Sequence, residues 1–532
     1  MSDTPVFSKA AAAAPHRLAA QAGRETLAEG GNAIEAMIAM AAVIAVVYPH
    51  MNAVGGDGFW LIREPSGRMR AIEACGPAGS LATIKRYRDK ECDAIPSRGP
   101  DAAVTVAGAV GGWALANELS QAIGGRLPLK TLLEAAIGYA RDGCAVTASE
   151  ARGVPNLFAE LKQAPGFAKL FLDQDGNLPK AGAIRTMPAL AATLDQLGNA
   201  GLDDFYRGDV GREIAADLER IGAPVTRADL ERYRARMVEP LAVAIPGAQL
   251  YNFPPPTQGL ASLIILALFS RLGVSRGEGF EHLHGMVEAT KRAFRVRDAV
   301  VTDPARLLYE PADYLSAAFL DGEAQAISMT QAAQFPLAWG EGDTVWMGAI
   351  DAKGMAVSYI QSTYWEYGSG CVLPTTGMLW QNRGISFSLN PNAVNPLEPG
   401  RKPFHTLNPA LAVLEDGRVM SYGSMGGDGQ PQFQAAIFSR YAQFGMDPAA
   451  AVDAPRWLLG KTWGSASTSL KLENRFDPSL IRALEKAGHE VEVLADGYSD
   501  TLGHAGMLVR DPRNGAVSAV HDPRSDGGSA GV

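Results

Sequence analysis

The sequence predicts a mixed α/β (α+β) fold, because helical and strand patterns follow one another along its 532 residues. Up to about residue 300 the chain is dominated by alanine-rich and amphipathic stretches, which are typical of helices. After about residue 330 it changes to short apolar runs joined by turns that contain glycine, which are typical of paired strands. We therefore expect a helix-rich part followed by a strand-rich part.

The first predicted elements are two helices within residues 16–48. Gly30 and Gly31 separate them, since consecutive glycines weaken a helix. Asn32 follows and can cap the second helix, with Glu35 at the third helical position in the manner of a capping box. This pattern predicts where the second helix begins.

The middle of the chain is predicted to be mostly helical. "NAVGGDGFWLI" (52–62) is a glycine turn that leads into a strand, and residues 104–240 contain several amphipathic stretches. The three consecutive prolines of "YNFPPPTQG" (251–259) end this region, because proline can continue neither a helix nor a central strand. A further helical block is expected from about 259 to 300.

Three strand pairs are predicted in the later part of the chain. Residues 344–350 and 355–362 are apolar and are joined by "DAKG", whose glycine is typical of a hairpin. Two further pairs flank "EDGR" (415–418) and "DPRNG" (511–515). Thr344 therefore lies where the strand-rich part begins.

Charge and composition exclude several classes of protein. The net charge of −9, without any run of lysine and arginine, argues against nucleic acid as a partner. The N-terminus has no long apolar core and so does not resemble a signal peptide. The longest apolar run, residues 36–48, is too short to cross a bilayer. We therefore expect no membrane partner and a cytoplasmic location. The cysteines lack C-x-x-C spacing, which fits a reducing compartment and disfavours a disulfide framework or a zinc site: Cys75, Cys92, Cys144 and Cys371.

No pattern in the sequence requires a cofactor. "LLGKTW" (458–463) lacks the first glycine of a phosphate loop, and "VGGDGFW" (54–60) lacks the third glycine of a dinucleotide fingerprint. A G-x-S-x-G elbow is also missing. His282 and His284 lie two residues apart in a helical pattern, so they do not face each other. We expect neither a metal nor an organic cofactor.

The segment "WGEGDTVWMGAID" (339–351) allows two interpretations of Thr344. A β-branched residue at the start of a strand is ordinary, so strand propensity explains it. Alternatively, the Asp343–Thr344 bond is cut and Thr344 becomes a new N-terminus, where a hydroxyl nucleophile and an amine base belong to one residue. The segment alone leaves both interpretations open.

A glycine pair later in the chain is a candidate oxyanion hole. "YGSMGGDGQPQFQAA" (422–436) places Gly426 and Gly427 before a predicted helix. Consecutive backbone N–H groups at a helix start can bind a developing negative charge. A tight turn with positive φ explains the same residues without any catalytic role.

Short segments spread over nearly the whole chain carry a family resemblance. In chain order they are "GG.AIEA" (30–36), "GGDGF" (55–59), "FYRGDV" (205–210), "ADLERY" (228–233), "FPPPTQG" (253–259), "GDT" with "AID" (342–351), "GSG" (368–370), "KPFHTLNP" (402–409), "GSMGG" (423–427), "APRW" (454–457) and "DPRS" (522–525). In these segments and in their order the sequence resembles the γ-glutamyltransferase family.

The resemblance implies an N-terminal nucleophile hydrolase with a four-layer αββα sandwich. Members of the family are made as inactive precursors that cleave themselves before a threonine, which matches Thr344, and the family's oxyanion-hole glycines match the glycine pair. Cleavage after Asp343 would produce a helix-rich large subunit, residues 1–343, and a strand-rich small subunit, residues 344–532, that form one sandwich together. A dimer of these heterodimers is a further expectation.

The residues that bind a glutamyl group in the family are not found here. In the family an arginine binds the α-carboxylate, and Glu73 stands at its position here. Tyr364 stands in place of an asparagine that follows the nucleophile, and Ser386 stands in place of the acid that binds the α-amino group. The family's Ser-Ser pair is matched by His405 and Thr406. A site without these partners loses several charge-assisted hydrogen bonds, each worth about 1.5–3 kcal/mol. Ordinary γ-glutamyl transfer is therefore not the expected activity.

Other segments are more similar to the oxamate amidohydrolase branch, which hydrolyses a small α-keto-acid amide during the catabolism of purine-derived nitrogen. They are "TVWMGAID" (344–351), "QNRG" (381–384), "KPFHTLNPA" (402–410) and "GSMGGDGQPQ" (423–432). The expected substrate is a small amide that bears a carboxylate, which needs a cation close to the nucleophile. The candidate cations are Arg383 and, if protonated, His405; the other predicted substrate-binding residues are Ser362, Asn382 and Thr406.

Several alternatives stay open at this point. A γ-glutamyltransferase, a γ-glutamyl hydrolase or a cephalosporin-type acylase would use the same nucleophile. An uncleaved, inactive relative that acts as a binding protein belongs to a different class. The two candidate cations also have interpretations without a role in binding. Arg383 would then form a surface ion pair, and His405 would form a hydrogen bond in the core.

Overall fold

The structure is a computed structural model that describes residues 3–335, 343–460 and 467–532. The helices within these ranges are α1 (Arg17–Ala28), α2 (Ala33–Val47), α3 (Ile84–Arg88), α4 (Ala109–Ala122), α5 (Leu129–Asp142), α6 (Ala148–Gly153), α7 (Phe158–Leu161), α8 (Phe167–Phe171), α9 (Pro188–Ala200), α10 (Asp204–Arg207), α11 (Asp209–Ile221), α12 (Arg227–Arg232), α13 (Gly259–Phe269), α14 (Phe280–Val300), α15 (Ala317–Gln325), α16 (Gln430–Phe438), α17 (Pro448–Asp453) and α18 (Pro478–Lys486). The strands are β1 (Val6–Phe7), β2 (Ala11–Ala14), β3 (Asp57–Arg63), β4 (Met69–Ala74), β5 (Cys144–Ala145), β6 (Ile184–Arg185), β7 (Arg236–Val238), β8 (Leu241–Ile245), β9 (Ala248–Asn252), β10 (Asp343–Ile350), β11 (Ala356–Tyr364), β12 (Ala410–Leu414), β13 (Val419–Ser424), β14 (Trp457–Leu459), β15 (Leu470–Leu472), β16 (Val491–Val493), β17 (Ala505–Arg510), β18 (Val517–His521) and β19 (Gly528–Gly531).

Two seven-stranded antiparallel sheets form the centre of the molecule. Sheet I has the strand order β19-β2-β10-β11-β3-β4-β7, and sheet II has the order β1-β18-β17-β13-β12-β9-β8. The three predicted strand pairs are confirmed: β10 pairs with β11 in sheet I, and β12–β13 and β17–β18 are neighbours in sheet II. The predicted hairpin at "DAKG" thus joins the two central strands of sheet I.

The expected separation into a helix-rich and a strand-rich part is incomplete. Strands β2, β3, β4 and β7 come from the first part of the chain and complete sheet I around β10 and β11. β2 consists of four alanines, Ala11–Ala14, a composition that favours a helix when no partner is considered. All four are buried, and β2 pairs with both β10 and β19. Tertiary strand pairing therefore overrides the local preference.

The facing surfaces of the two sheets share one apolar core. Side chains alternate between the two faces of a strand, and Phe59, Trp346 and Ile360 lie on the inward face of sheet I. They pack with Leu411 and Leu508 of sheet II. The same alternation decides which side chains at the strand ends enter the space between the sheets.

Helices cover the outer face of each sheet. α2 and α4 pack on sheet I, and their apolar side chains join its outward-facing residues in one buried cluster. α13 and α16 pack on sheet II in a second cluster. The predicted four-layer αββα sandwich is therefore present.

The predicted start of α2 is confirmed in detail. Asn32 Oδ1 accepts the backbone N–H groups of Ile34 and Glu35 at 3.0 Å each, and the Glu35 carboxylate accepts the Asn32 N–H at 2.8 Å. This capping box satisfies N–H groups that have no partner within the helix.

Among the helices of the described ranges, none combines the length and the apolar character that a membrane span needs.

Candidate active site

Thr344 is the second residue of β10 and lies at an irregularity of sheet I. The pairing of β10 with β11 shifts its register between Asp343 and Val345, as in a β-bulge. A bulge changes the direction in which a side chain points, and it is frequent next to active sites. The Thr344 side chain is fully buried. Residues 339–342 of the predicted cleavage segment lie outside the described residues.

Within the described part of the chain, two side chains form hydrogen bonds with the Thr344 hydroxyl. The hydroxyl donates to Ser362 Oγ at 3.3 Å and accepts from Gln430 Nε2 at 3.3 Å. Ser362 Oγ also accepts the backbone N–H of Tyr364 at 2.7 Å, and Gln430 Oε1 accepts from Asn408 Nδ2 at 3.2 Å. Both contacting groups are therefore fixed by further bonds. Ser362 is one of the predicted site residues, whereas Gln430 is not.

The glycine pair forms a left-handed turn directly before α16. Gly426 has a φ of 115° and Gly427 a φ of 51°, which is the region that favours glycine. Among the described residues, no acceptor is bonded to the N–H group of either glycine. α16 begins with Gln430, whose amide contacts Thr344 Oγ1, so the turn directly precedes a helix whose first residue bonds to the hydroxyl. Free backbone N–H groups beside a nucleophile are what an oxyanion hole requires.

Gln258 ties this turn to the neighbouring loop. Its Nε2 donates to the carbonyl oxygens of Thr406 and Gly427 at 2.8 Å each. Its Oε1 accepts from Arg297 Nη1 at 2.9 Å, and the same nitrogen bonds Asp428 Oδ1 at 2.9 Å. Gln258 is the last residue but one of the "FPPPTQG" segment (253–259), whose prolines predict only the end of a helical region. The structure adds that this segment fixes the position of the glycine turn.

Arg383 is a buried cation that is linked to the hydroxyl through Tyr364 and Ser362. Its side chain is fully buried, its Nη1 donates to Thr406 Oγ1 at 3.2 Å, and its guanidinium carbon lies 3.8 Å from the centre of the Tyr364 ring. Its Nε and Nη2 have no hydrogen-bond partner within the described ranges. Burial lowers the pKa of Arg383 to about 10, so the group is still charged at neutral pH. The surface ion pair that was the alternative for this residue is not formed.

Asn382 supports the backbone around Tyr364. Its Oδ1 accepts the Trp365 N–H at 3.1 Å, and its Nδ2 donates to the Ser97 carbonyl at 3.0 Å. Tyr364 itself has a φ of 84°, a conformation that is strained for a bulky side chain. The oxygen and the nitrogen of the Asn382 side chain thus both form hydrogen bonds with the backbone. Asn382 therefore fixes the position of this turn.

His405 is not the cation that the sequence allowed for. The ring is fully buried and packs edge-on against Phe59 at 5.0 Å, and its Nε2 lies 3.5 Å from Asp57 Oδ2. Burial, followed by the positive charges of Arg383 and Lys402, holds the pKa of His405 well below its ordinary value. The imidazole is therefore neutral at neutral pH, and Arg383 is the charged member of the two candidates.

Asp57 completes a row of polar side chains across sheet I. It is the first residue of β3 and lies directly opposite Ser362 of β11, whose hydroxyl contacts Thr344 of β10. Residues opposite each other in antiparallel strands share a face, so all three lie between the two sheets. Asp57 Oδ1 accepts the N–H groups of Gly76 and Gly108 at 3.2 Å and 2.9 Å. The sequence had not singled out this aspartate, although it lies in the "GGDGF" segment.

Comparisons with known proteins identify the family of this chain. The sequence pattern of the family described as Gamma-glutamyltranspeptidase matches residues 19–532. The chain belongs to this family. The oxamate amidohydrolase proenzyme of Klebsiella pneumoniae subsp. pneumoniae is 51% identical over 532 residues, and the glutathione hydrolase-like YwrD proenzyme of Bacillus subtilis is 37% identical over 536 residues; each match covers 100% of both chains.

A solved structure extends the comparison to the fold. The crystal structure of cephalosporin acylase from Bacillus halodurans superposes with a TM-score of 0.91 at 31% identity, and the match covers 100% of this chain and 97% of that one. Together with the family match, these relatives make the chain an amidohydrolase enzyme of the γ-glutamyltranspeptidase family that is made as a precursor.

Two positions at which this chain departs from the family's glutamyl site have structural partners of their own. Glu73 is buried and accepts from Arg236 Nε at 2.9 Å and from Lys402 Nζ. Its charge is therefore balanced, and it does not act as a free repelling group in the pocket. Ser386 Oγ donates to the carbonyl oxygens of Arg383 and Phe404, each at 3.1 Å. Neither residue offers a glutamyl group the arginine or aspartate that the family uses.

Histidines elsewhere form a hydrogen-bonded cluster. Nitrogen or oxygen atoms of His284, Glu288 and His489 lie within 4.8 Å of one another. His284 Nδ1 and His489 Nε2 share a hydrogen bond of 2.8 Å, and Lys291 Nζ donates to Glu288 at 2.6 Å. These bonds and the lysine charge satisfy the three groups. His282 bonds separately to the Ser439 hydroxyl and is not a member of this cluster.

Proposed function

We propose that the chain cleaves itself between Asp343 and Thr344 and then hydrolyses oxamate to oxalate and ammonia. The observation that carries this proposal is the buried guanidinium of Arg383, whose Nε and Nη2 are unpaired among the described residues and which is linked to Thr344 through Tyr364 and Ser362. Such a group suits a substrate carboxylate next to the bond that is attacked. The full-length similarity to an oxamate amidohydrolase proenzyme supports the same substrate.

Self-cleavage requires the Thr344 hydroxyl to reach the preceding carbonyl. The oxygen would add to the carbonyl carbon of Asp343, and the C–N bond would break with transfer of a proton to the nitrogen. Water then hydrolyses the resulting ester, which leaves the chains 1–343 and 344–532. The β-bulge at Thr344 supports this step, because a bulge interrupts the strand pairing and changes the direction of the side chain. Each sheet contains strands of both segments paired with one another, so the chains are expected to stay together.

In the mature enzyme, the new amino group of Thr344 would act as the base. An unperturbed α-amino group has a pKa of about 7.7–8.0 and can accept the hydroxyl proton near neutral pH. The oxygen attacks the amide carbon of oxamate, and the free N–H groups of Gly426 and Gly427 receive the negative charge of the tetrahedral intermediate. Ammonia leaves with a proton from the base, and water hydrolyses the acyl-threonine to release oxalate.

The substrate is selected by the charges around this centre. The carboxylate of oxamate is bonded directly to the attacked carbon, so its cation has to lie close to the nucleophile. Arg383 is our candidate for this cation, because it stacks on Tyr364, whose N–H bonds to Ser362, which contacts Thr344. Oxamate has no ammonium group and needs no acidic partner. A glutamyl donor would lack the clamp and the acid that the family uses, since Glu73 and Ser386 stand in their places.

A cephalosporin-type acylase is the second candidate. It is favoured by the TM-score of 0.91 with the cephalosporin acylase from Bacillus halodurans. That activity would use the same nucleophile and differ only in the acyl group.

An uncleaved binding protein would share the fold but not the processing. We also propose a dimer of the two-chain units and a cytoplasmic location, as expected from the sequence.

The decisive experiment compares substrates on the purified, processed protein. A denaturing gel first shows whether two chains are formed. Ammonia release from oxamate is then measured against aniline release from a γ-glutamyl anilide and against deacylation of a cephalosporin. We expect the highest kcat/KM for oxamate. A higher kcat/KM for either of the other substrates would refute the assignment.

A further inference from the structure

We propose that Asp57 is a positioning residue that balances the charge of Arg383 in the empty enzyme and takes up a proton when a substrate carboxylate binds there. The inference deepens the proposed function and rests on Arg383 as the carboxylate site. It assigns to the "GGDGF" segment a part in substrate binding. It also predicts a pH dependence of anion binding that is larger than the Thr344 amino group alone would produce.

The first observation is the position of Asp57 in sheet I. It lies opposite Ser362 and on the same inward face, so its carboxyl group enters the same end of the space between the sheets as the Thr344 hydroxyl. The side chain is fully buried. A carboxylate at such a depth requires a compensating charge or a proton.

The second observation is a group of buried polar atoms that lack partners within the described part of the chain. They are Asp57 Oδ2, Arg383 Nε and Nη2, and both ring nitrogens of His405. Asp57 Oδ2 and His405 Nε2 are 3.5 Å apart, too long for a strong hydrogen bond. Buried polar groups are almost always bonded, so a cluster of unpaired ones indicates a site that binds water or a ligand. An anion fits here, because the guanidinium supplies free donors.

The charges around Asp57 determine what happens when that anion arrives. Burial raises the pKa of Asp57 to about 7, and Arg383 and then Gln381 act in the opposite direction. His405 is neutral, and Lys402, whose pKa burial lowers to about 8, bonds to Glu73. The other titratable groups that interact with Asp57 are neutral at pH 7, since burial raises the pKa of each: Cys75, Tyr206, Tyr233 and Tyr359.

A bound carboxylate would therefore share the guanidinium with Asp57. Two carboxylates close to one cation disfavour the state in which both are ionised, and one pKa rises. The substrate carboxylate bonds to Arg383, so the proton taken from solvent goes to Asp57. Above the pKa of Asp57, binding has to include this proton uptake, and the apparent affinity falls as the pH rises. Below that pKa, Asp57 is already protonated and the affinity is constant.

The test uses oxalate, the expected product, as a probe that binds without turnover. Calorimetric titration at pH 7.5 in buffers of different ionisation enthalpy measures the protons taken up. We expect more proton uptake by the native enzyme than by Asp57→Asn. The matched control is Asp351→Asn, since Asp351 is also buried, accepts backbone N–H groups and has a raised pKa, but lies at the far end of β10. This control should take up as many protons as the native enzyme.

The pH dependence of binding supplies a second measurement. The Kd for oxalate should rise by up to about tenfold per pH unit above pH 7 and should be level below it. Asp57→Asn keeps the Thr344 amino group, so any rise that it still shows belongs to that group, and its rise should be smaller than that of the native enzyme. A constant Kd between pH 6 and 8.5, or equal uptake by the native and Asp57→Asn enzymes, would overturn the inference. If oxalate binds with this proton uptake but oxamate is not hydrolysed, the proposed function fails and the inference stands. If oxamate is hydrolysed while Kd is constant, only the inference fails.

Discussion

The guanidinium carbon of Arg383 lies 3.8 Å from the centre of the Tyr364 ring, and both side chains are buried. The aromatic face attracts the cation and fixes its plane. Tyr364 is the last residue of β11, and its N–H bonds to Ser362, the acceptor of the Thr344 hydroxyl. The position of the cation is therefore linked to that of the nucleophile through one strand end.

Replacing the proposed nucleophile should prevent processing. We expect Thr344→Ala to give one full-length chain, because the methyl group cannot attack the preceding carbonyl, while the native protein gives two chains on a denaturing gel. Thr363→Ala is the matched control, since Thr363 is also a buried threonine at this end of sheet I. It should still be processed. A native small chain whose N-terminal sequence starts at any residue other than Thr344 would contradict the assignment.

Removing the buried cation should weaken substrate binding. Arg383→Ala loses charge-assisted bonds worth about 1.5–3 kcal/mol, which corresponds to a rise in KM for oxamate of about 10- to 150-fold. Self-cleavage should continue, because the bond that is cut in the precursor has no neighbouring free carboxylate. Arg383→Lys keeps a charge but loses the planar fork, and its KM should be intermediate. An unchanged KM in a processed Arg383→Ala enzyme would remove Arg383 from the substrate site.

Displacing the glycine turn should lower turnover more than binding. A Cβ at Gly426 would lie 2.7 Å from the Phe433 ring, and the φ of 115° is unfavourable for alanine, so Gly426→Ala should shift the N–H groups. Loss of one oxyanion donor lowers kcat by about 100- to 1,000-fold. Gly445→Ala is the control: it has a φ of 69° but open space around the new Cβ. Equal kcat values for the two processed variants would reduce Gly426 to a turn residue.

The amide that contacts the Thr344 hydroxyl should affect both reactions of this residue. Gln430→Leu removes a donor at 3.3 Å, and a neutral hydrogen bond of about 1 kcal/mol corresponds to an approximately fivefold lower rate. We expect self-cleavage and kcat to fall together, with little change in KM. Gln432→Leu alters another buried glutamine of α16 that bonds to the Leu459 carbonyl instead. If Gln432→Leu slows self-cleavage and turnover as much as Gln430→Leu does, the effect of Gln430 comes from helix packing and not from its bond to Thr344.

Much of the architecture could be predicted because its signals are local. The capping box at Asn32 depends on residues three positions apart, and the β10–β11 hairpin depends on one glycine-containing turn. β2 could not be predicted, since four alanines show no alternation and become a strand only between β10 and β19. The family resemblance supplied the four-layer arrangement, which local patterns do not contain.

The same division applies to the candidate site. By itself, the sequence determined the turn chemistry of Gly426 and Gly427 and the apolar strand that begins at Thr344, since both depend on neighbouring residues. Only the tertiary structure decided that Asp57 lies opposite Ser362 and that His405 is neutral. Strand register joins residues that are hundreds of positions apart, and burial depends on every element packed around a side chain. Neither is a property of any short segment, and for this reason the charges of the site became known only with the fold.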